Sequence, residues 1–291
     1  MPSLNQQILG LFPLPLPDRE AQKTIAHILG TLDDKIELNR QMNATLDEIA
    51  RTLFTSWFVT FDPVRARADG RQPEGMDAET AALFPDRVVD SELGPIPEGW
   101  TWNRFGDIAV NVRDGVPPTE IRAEENYVGL EHMPRRSVAL AEWEPASKVT
   151  SNKSRFQEDD VLFGKLRPYF HKVALAPVDG ICSTDILVVR PKNGCQLAWA
   201  MAVASSDAMV QQATMRSSGT KMPRTNWNNL ADFMIAAPDN AVAYAFENLI
   251  RPMLDLSKQN IHASRTLADL RDTLLPELLS GLLSAPHVPA V

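Results

Sequence analysis

The sequence predicts an α/β (α+β) fold: one globular domain of mixed strand and helix, carried with two long antiparallel, coiled-coil-like helices. Three observations carry this. A gap-free shift of 221 positions superposes the two ends of the chain: Leu9, Phe12, Pro17-Asp18, Asn39, Thr45-Leu46 and Thr52-Leu53 fall on Leu230, Phe233, Pro238-Asp239, Asn260, Thr266-Leu267 and Thr273-Leu274. Both copies keep an apolar heptad pattern, and the residues between them change to short β-rich runs bounded by turn residues.

Residues 1–16 end in a proline-alternating run (12–17, FPLPLP) and read as an extended lead-in. Residues 17–61 form the first helical region, with Ile25, Ile28, Leu32, Asn39, Met42, Leu46, Ile49 and Leu53 at a and d positions. The proline and glycine content of 62–97 marks a connector with one short helix near 77–84. Residues 98–237 form the globular domain, with strands expected at 161–164, 171–176 and 181–190 and a helix at 196–215. The second helical region, 238–282, repeats the seam with Phe246, Leu249, Met253, Leu256, Asn260, Ala263, Leu267, Leu270 and Leu274, and 283–291 is a flexible tail. Each helix starts at a Pro-Asp pair that supplies an N-cap acceptor. Gly30 and Pro252 should bend or break the helices. Asn39 and Asn260 share one a position and are expected to set register, either within the chain or between two copies as a dimer.

The bulk composition is that of an ordinary water-borne protein, 44% hydrophobic and 23% charged, with no apolar run long enough for a membrane span and no signal-peptide start. Two cysteines, Cys182 and Cys195, imply no disulfide framework, so a cytoplasmic location is expected. The formal charge of −8 excludes a general nucleic-acid coat, yet it is unevenly spread. Between 148 and 224 there are 11 basic against 6 acidic residues, and elsewhere 18 basic against 31 acidic, a local +5 inside a frame of −13. That distribution suits local phosphate contact with suppressed non-specific binding.

No catalytic constellation is present. Asp18, Glu20 and Lys23 lie within two turns at a helix cap, whereas nuclease carboxylates converge from separate strands. His171, Cys182 and Cys195 lack the paired spacing of a zinc site, and no phosphate-cradling or dinucleotide glycine motif occurs. Two runs do suit DNA. Residues 163–172 (FGKLRPYFHK) interleave Lys165, Arg167 and Lys172 with aromatics including Tyr169. Residues 216–227 (RSSGTKMPRTNW) gather Ser218, Gly219, Thr220 and Lys221 for phosphate oxygens, and Arg224 and Asn226 for base edges.

The stretches 15–64, 91–100 (SELGPIPEGW), 161–177 with 181–191, and 217–227 together resemble the DNA-specificity (S) subunits of type I restriction-modification systems. The pattern Leu-Asp-x-Lys-Ile-x-x-Asn-x-x-x-Asn, followed by Leu-Phe-x-Ser-Trp-Phe, is its most specific part. The resemblance implies a non-catalytic subunit whose target recognition domain, 98–237, reads double-stranded DNA. It also implies a half-length form, because typical members carry two such domains; residues 1–16 then look like the tail of a missing one. Expected partners are a second copy of the chain, adenine methyltransferase (M) subunits and restriction (R) subunits. S-adenosylmethionine, ATP and Mg²⁺ belong to those partners, and no cofactor is expected on this chain. The competing expectation is a coiled-coil scaffold whose central domain binds a ligand other than DNA.

Overall fold

The computed structural model describes residues 17–283. In chain order it contains α1 (Arg19–Phe58), α2 (Asp62–Ala68), α3 (Ala78–Ala82), β1 (Val88–Val89), β2 (Ile96–Pro97), β3 (Thr101–Arg104), α4 (Phe105–Ile108), β4 (Ala109–Val112), β5 (Gly115–Val116), β6 (Asn126–Val128) and β7 (Glu144–Pro145). There follow β8 (Lys153–Phe156), β9 (Val161–Gly164), β10 (Val173–Leu175), β11 (Gly180–Ser183), β12 (Ile186–Pro191), α5 (Leu197–Ala204), α6 (Asp207–Met215), α7 (Trp227–Ala231), β13 (Met234–Ala237) and α8 (Asn240–Ser280). None of the described helices is long and apolar enough to cross a membrane. The lead-in 1–16 and most of the tail expected at 283–291 lie outside the described residues.

The Pro-Asp starts cap as expected: Asp18 Oδ1 accepts from the Ala21 amide at 2.8 Å, and Asp239 Oδ1 from the Val242 amide at 3.0 Å. Gly30 and Pro252 do not interrupt their helices, which run unbroken through both positions. A proline inside a helix loses one backbone bond and crowds the preceding turn. Here Ile250 and Leu254, buried on either side of the exposed Pro252, hold the helix by packing.

The chain divides into two compact units, Met1–Gln41 with His262–Val291, and Met42–Ile261. Within the first, α1 and α8 run antiparallel: Asn39 Nδ2 donates to Ser264 Oγ at 3.1 Å, and Arg271 pairs with Asp33 at 2.7 Å. Within the second they are antiparallel again, with Asn260 Nδ2 donating to Asn43 Oδ1 at 2.9 Å and Asn43 Nδ2 to the Ser257 carbonyl at 3.2 Å. The helices therefore pair within one chain. The expected Asn39–Asn260 partnership is replaced by Asn39–Ser264 and Asn43–Asn260.

The seam itself is shifted by half. Ile25, Leu32, Asn39, Leu46 and Leu53 are buried or half-buried as expected, and so are Phe246, Met253, Asn260, Leu267 and Leu274. The second seam row moves one residue along in both helices. Ile28 and Met42 stay half-buried as expected, but Asn43, Ala50 and Trp57 are buried and Ile49 is not, and Ile250, Ser257, Ser264 and Arg271 replace Leu249, Leu256, Ala263 and Leu270. Ile49, Leu249, Leu256 and Leu270 are left exposed. The apolar pattern points to the row that is left largely exposed; the aromatic packing of Trp57 and Phe58 against Phe246 sets the other.

In the larger unit, β10-β9-β12-β4 form an antiparallel sheet, and β5-β8-β11-β6-β7 a mixed one in which β11 and β6 are parallel. The run 181–190 is not one strand. It turns at Thr184-Asp185, so that β11 serves one sheet and β12 the other. Residues 196–215 are likewise two helices, because the Ser206 hydroxyl caps α6 by accepting from the Met209 amide at 3.2 Å. One core joins Phe54, Trp57 and Phe58 of α1 to the nearly all-apolar α5 and to Phe246 and Ile250 of α8. A second lies between the sheets around Val128, Leu162, Cys182 and Val188. Burial pushes the Cys182 thiol up to about 12, which keeps it protonated and inert.

Candidate nucleic-acid interface

The two basic runs, far apart in sequence, are hydrogen-bonded side by side. The Arg167 amide donates to the Pro223 carbonyl at 2.7 Å and the Thr225 amide to the Lys165 carbonyl at 3.0 Å, with Leu166 bridged to Arg224. A third segment joins them where β11 turns into β12: the Lys165 amide donates to the Asp185 carbonyl at 2.8 Å. The 217–226 loop is a tight hairpin, closed by reciprocal bonds between Ser218 and Arg224 at 3.0 and 2.9 Å. Gly219 sits in it at φ +96°, a conformation that L side chains rarely adopt, and a Cβ there would lie 3.2 Å from the Met222 carbonyl oxygen.

These segments help line a groove of about 450 Å³ together with Asn111, Val112, Arg113, Gly115 and Ser154. Lys165, Thr184, Ile186, Leu187, Arg224, Thr225, Asn226 and Trp227 complete the lining. The groove carries three cations and several hydroxyl and amide groups, and no carboxylate is among its lining residues. Such a concavity suits the phosphate–sugar backbone and the edges of bases.

The expected contact residues divide by environment. Lys165, Arg224 and Asn226 line the groove, and Ser218, Gly219, Thr220 and Lys221 form the exposed hairpin beside it. Asn226 also has a structural duty: its Oδ1 accepts from the Asn229 amide at 3.2 Å and caps α7. Tyr169 is exposed on a short 3₁₀ turn, its ring 4.8 Å from that of Phe170. Arg167 has a left-handed backbone (φ 50°) and its guanidinium lies 5.9 Å from the Phe170 ring, with Nε buried and lacking a partner. Lys172 points inward, its ammonium hydrogen-bonded to the Leu130 carbonyl, and burial lowers its pKa.

Sequence reasoning missed Asn111, Arg113, Ser154 and Thr184, which come from three different places in the chain and share no local motif. It also missed Arg135, whose guanidinium lies 4.2 Å from the centroid of the Phe170 ring. Asp185 was likewise not anticipated; its carboxylate grips Arg224 through Nε at 3.1 Å and Nη2 at 3.4 Å. No cluster of three or more metal-ligating side chains occurs among the described residues. Glu20 and Lys23 form an exposed ion pair one turn into α1.

Residues 1–48 match the family model described as the type I restriction modification DNA specificity domain. The chain is 26% identical to the HindI specificity subunit of Haemophilus influenzae, over 96% of this chain and 71% of that protein. It is 24% identical to the MjaIX specificity subunit of Methanocaldococcus jannaschii, over 97% of this chain and 63% of that protein. Its fold resembles the S subunit from M. genitalium at TM-score 0.54 and 13% identity, covering 90% of this chain and 61% of that one. The chain thus spans roughly two thirds of these relatives' length. Over most of its length the chain is thus similar to specificity (S) subunits of type I restriction-modification systems, with a single recognition region between its two long helices.

Proposed function

We propose that this chain is a non-catalytic subunit that reads a sequence in double-stranded DNA and thereby directs an adenine methyltransferase, and with it restriction subunits, to that sequence. The carrying observation is the groove in which Lys165, Arg113 and Arg224 meet beside the Ser218–Lys221 hairpin. Lys165, Lys221 and the hairpin hydroxyls hold phosphates and set register, while Arg224 and Asn226 face base edges. S-adenosylmethionine, ATP and Mg²⁺ act on the partner subunits.

With one recognition region, the chain reads one half-site. Two copies then supply a symmetric, bipartite target. The exposed Ile49, Leu249 and Leu256, left over once the helices have paired within the chain, support an apolar surface for such a partner. The comparisons lend no support to a scaffold that binds a ligand other than DNA.

The test is methylation and duplex binding by the chain with its methyltransferase. Lys165→Glu and Lys221→Glu should each weaken binding to all duplexes and lower the salt slope by about 1. Unchanged affinity in the double variant rules the groove out as the DNA-binding face.

A further inference from the structure

Asp185 is out of place in a groove that attracts phosphate. It occupies the turn between β11 and β12, its side chain about one third exposed, at the point where the three DNA-facing segments meet. A carboxylate there repels the DNA backbone. An ion pair as exposed as Asp185–Arg224 adds little to stability. Neither affinity nor folding explains the residue, which leaves geometry.

The contact is two-pronged, with Arg224 Nε and Nη2 both on Asp185. That uses the lateral edge of the guanidinium. The other edge, made by Nη1 and the second hydrogen of Nη2, keeps two parallel N–H donors, the pattern that fits O6 and N7 of guanine in the major groove. The backbone on both sides is already fixed: Arg224 is hydrogen-bonded to Ser218, and the Asp185 carbonyl holds the Lys165 amide. Side-chain freedom at Arg224 is what Asp185 removes.

The geometry points to Asp185 as a specificity-positioning residue that buttresses Arg224 so that its free edge reads one guanine of the half-site. This rests on the DNA-reading function proposed above. Asp185 lowers the general attraction for DNA and in return orients the one side chain suited to a two-point base contact.

The experiment selects bound duplexes from a pool with randomised sequence, using the full chain with its methyltransferase, and reads base preference position by position. Wild type should prefer G·C at one position per half-site by roughly five- to hundred-fold. Asp185→Asn, Arg224→Ala and Arg224→Lys should each flatten that position, and the Asp185→Asn/Arg224→Ala pair should flatten it no further than Arg224→Ala alone. Affinity of Asp185→Asn for the unselected pool should stay equal or rise, with an unchanged thermal midpoint. A uniform loss across positions, or an intact preference in Asp185→Asn, overturns the assignment. If Arg224→Ala leaves all preferences intact while wild type still selects, the buttress falls but the DNA-reading function stands. A wild-type chain that selects no sequence removes both.

Discussion

His171 shows how a basic-looking motif residue is spent inside the fold. It lies at φ 53° and is buried, and its Nε2 is 2.8 Å from the Ser205 carbonyl. A carbonyl only accepts, so Nε2 carries the proton and Nδ1 is the basic nitrogen. Burial lowers the His171 pKa; the Asp207 carboxylate, 3.4 Å from Nδ1, pulls the other way and does not overcome it. With a folded pKa below the unfolded value of about 6.5, the unfolded chain takes up a proton first. Stability is therefore complete above that value and falls as pH drops through it towards the folded pKa. Urea denaturation between pH 7 and 5 should show the loss, and His171→Gln should flatten it; an unaltered slope would remove this residue as the cause. Asp47 behaves in the opposite sense. Burial raises its pKa although its carboxylate accepts from Ser137 and Val138, so its ionised form costs stability once pH exceeds the carboxylate range. Lys172 and His171 carry the same lesson: residue type in the 163–172 run was readable, but which side chains face solvent depends on how the 3₁₀ turn at Pro168–Phe170 packs.

At the scale of elements, the Asn43–Asn260 pair and Pro252 make opposed predictions. Asn43 and Asn260 are both buried, and Asn43 also donates to Ser257. Asn43→Leu strands the Asn260 amide and should cost about 1–3 kcal/mol, whereas replacing both asparagines by leucine should recover much of it. Pro252 is exposed, so Pro252→Ala should restore a helical bond without disturbing the core and raise stability by up to about 3 kcal/mol. Chemical denaturation of the three variants checks both, and a destabilised Pro252→Ala would mean that the proline's ring is itself a packing contact. The long helices were legible because Pro-Asp caps and heptads are local signals. Their second seam row was not, since by residue type Leu249, Leu256 and Leu270 suit a seam at least as well as Ile250, Ser257 and Arg271, which occupy it. The splitting of 181–190 escaped notice for a similar reason: a turn made of Thr184 and Asp185 carries no glycine or proline.

For the whole molecule, the question is what the acidic helical frame meets. The intrachain pairing satisfies the buried asparagines, and the two-copy assembly proposed above therefore rests on the leftover row of Ile49, Leu249 and Leu256. Leu249→Glu with Leu256→Glu should shift sedimentation of the chain with its methyltransferase from two copies towards one, with little change in thermal midpoint. A two-copy complex that survives both changes would place the contact elsewhere.

The repeat, the caps, the charge contrast and the two basic runs are properties of residues close in sequence, and each could be read in order along the chain. The groove could not. Asn111, Arg113, Ser154, Thr184 and Asp185 join Lys165 and Arg224 because two sheets exchange the chain at a single turn and the 223–225 segment pairs with 165–167. Those hydrogen bonds are formed across separations that no local propensity encodes. Which cations are left free for DNA, and which are tied to carbonyls and carboxylates, is settled only once that packing exists.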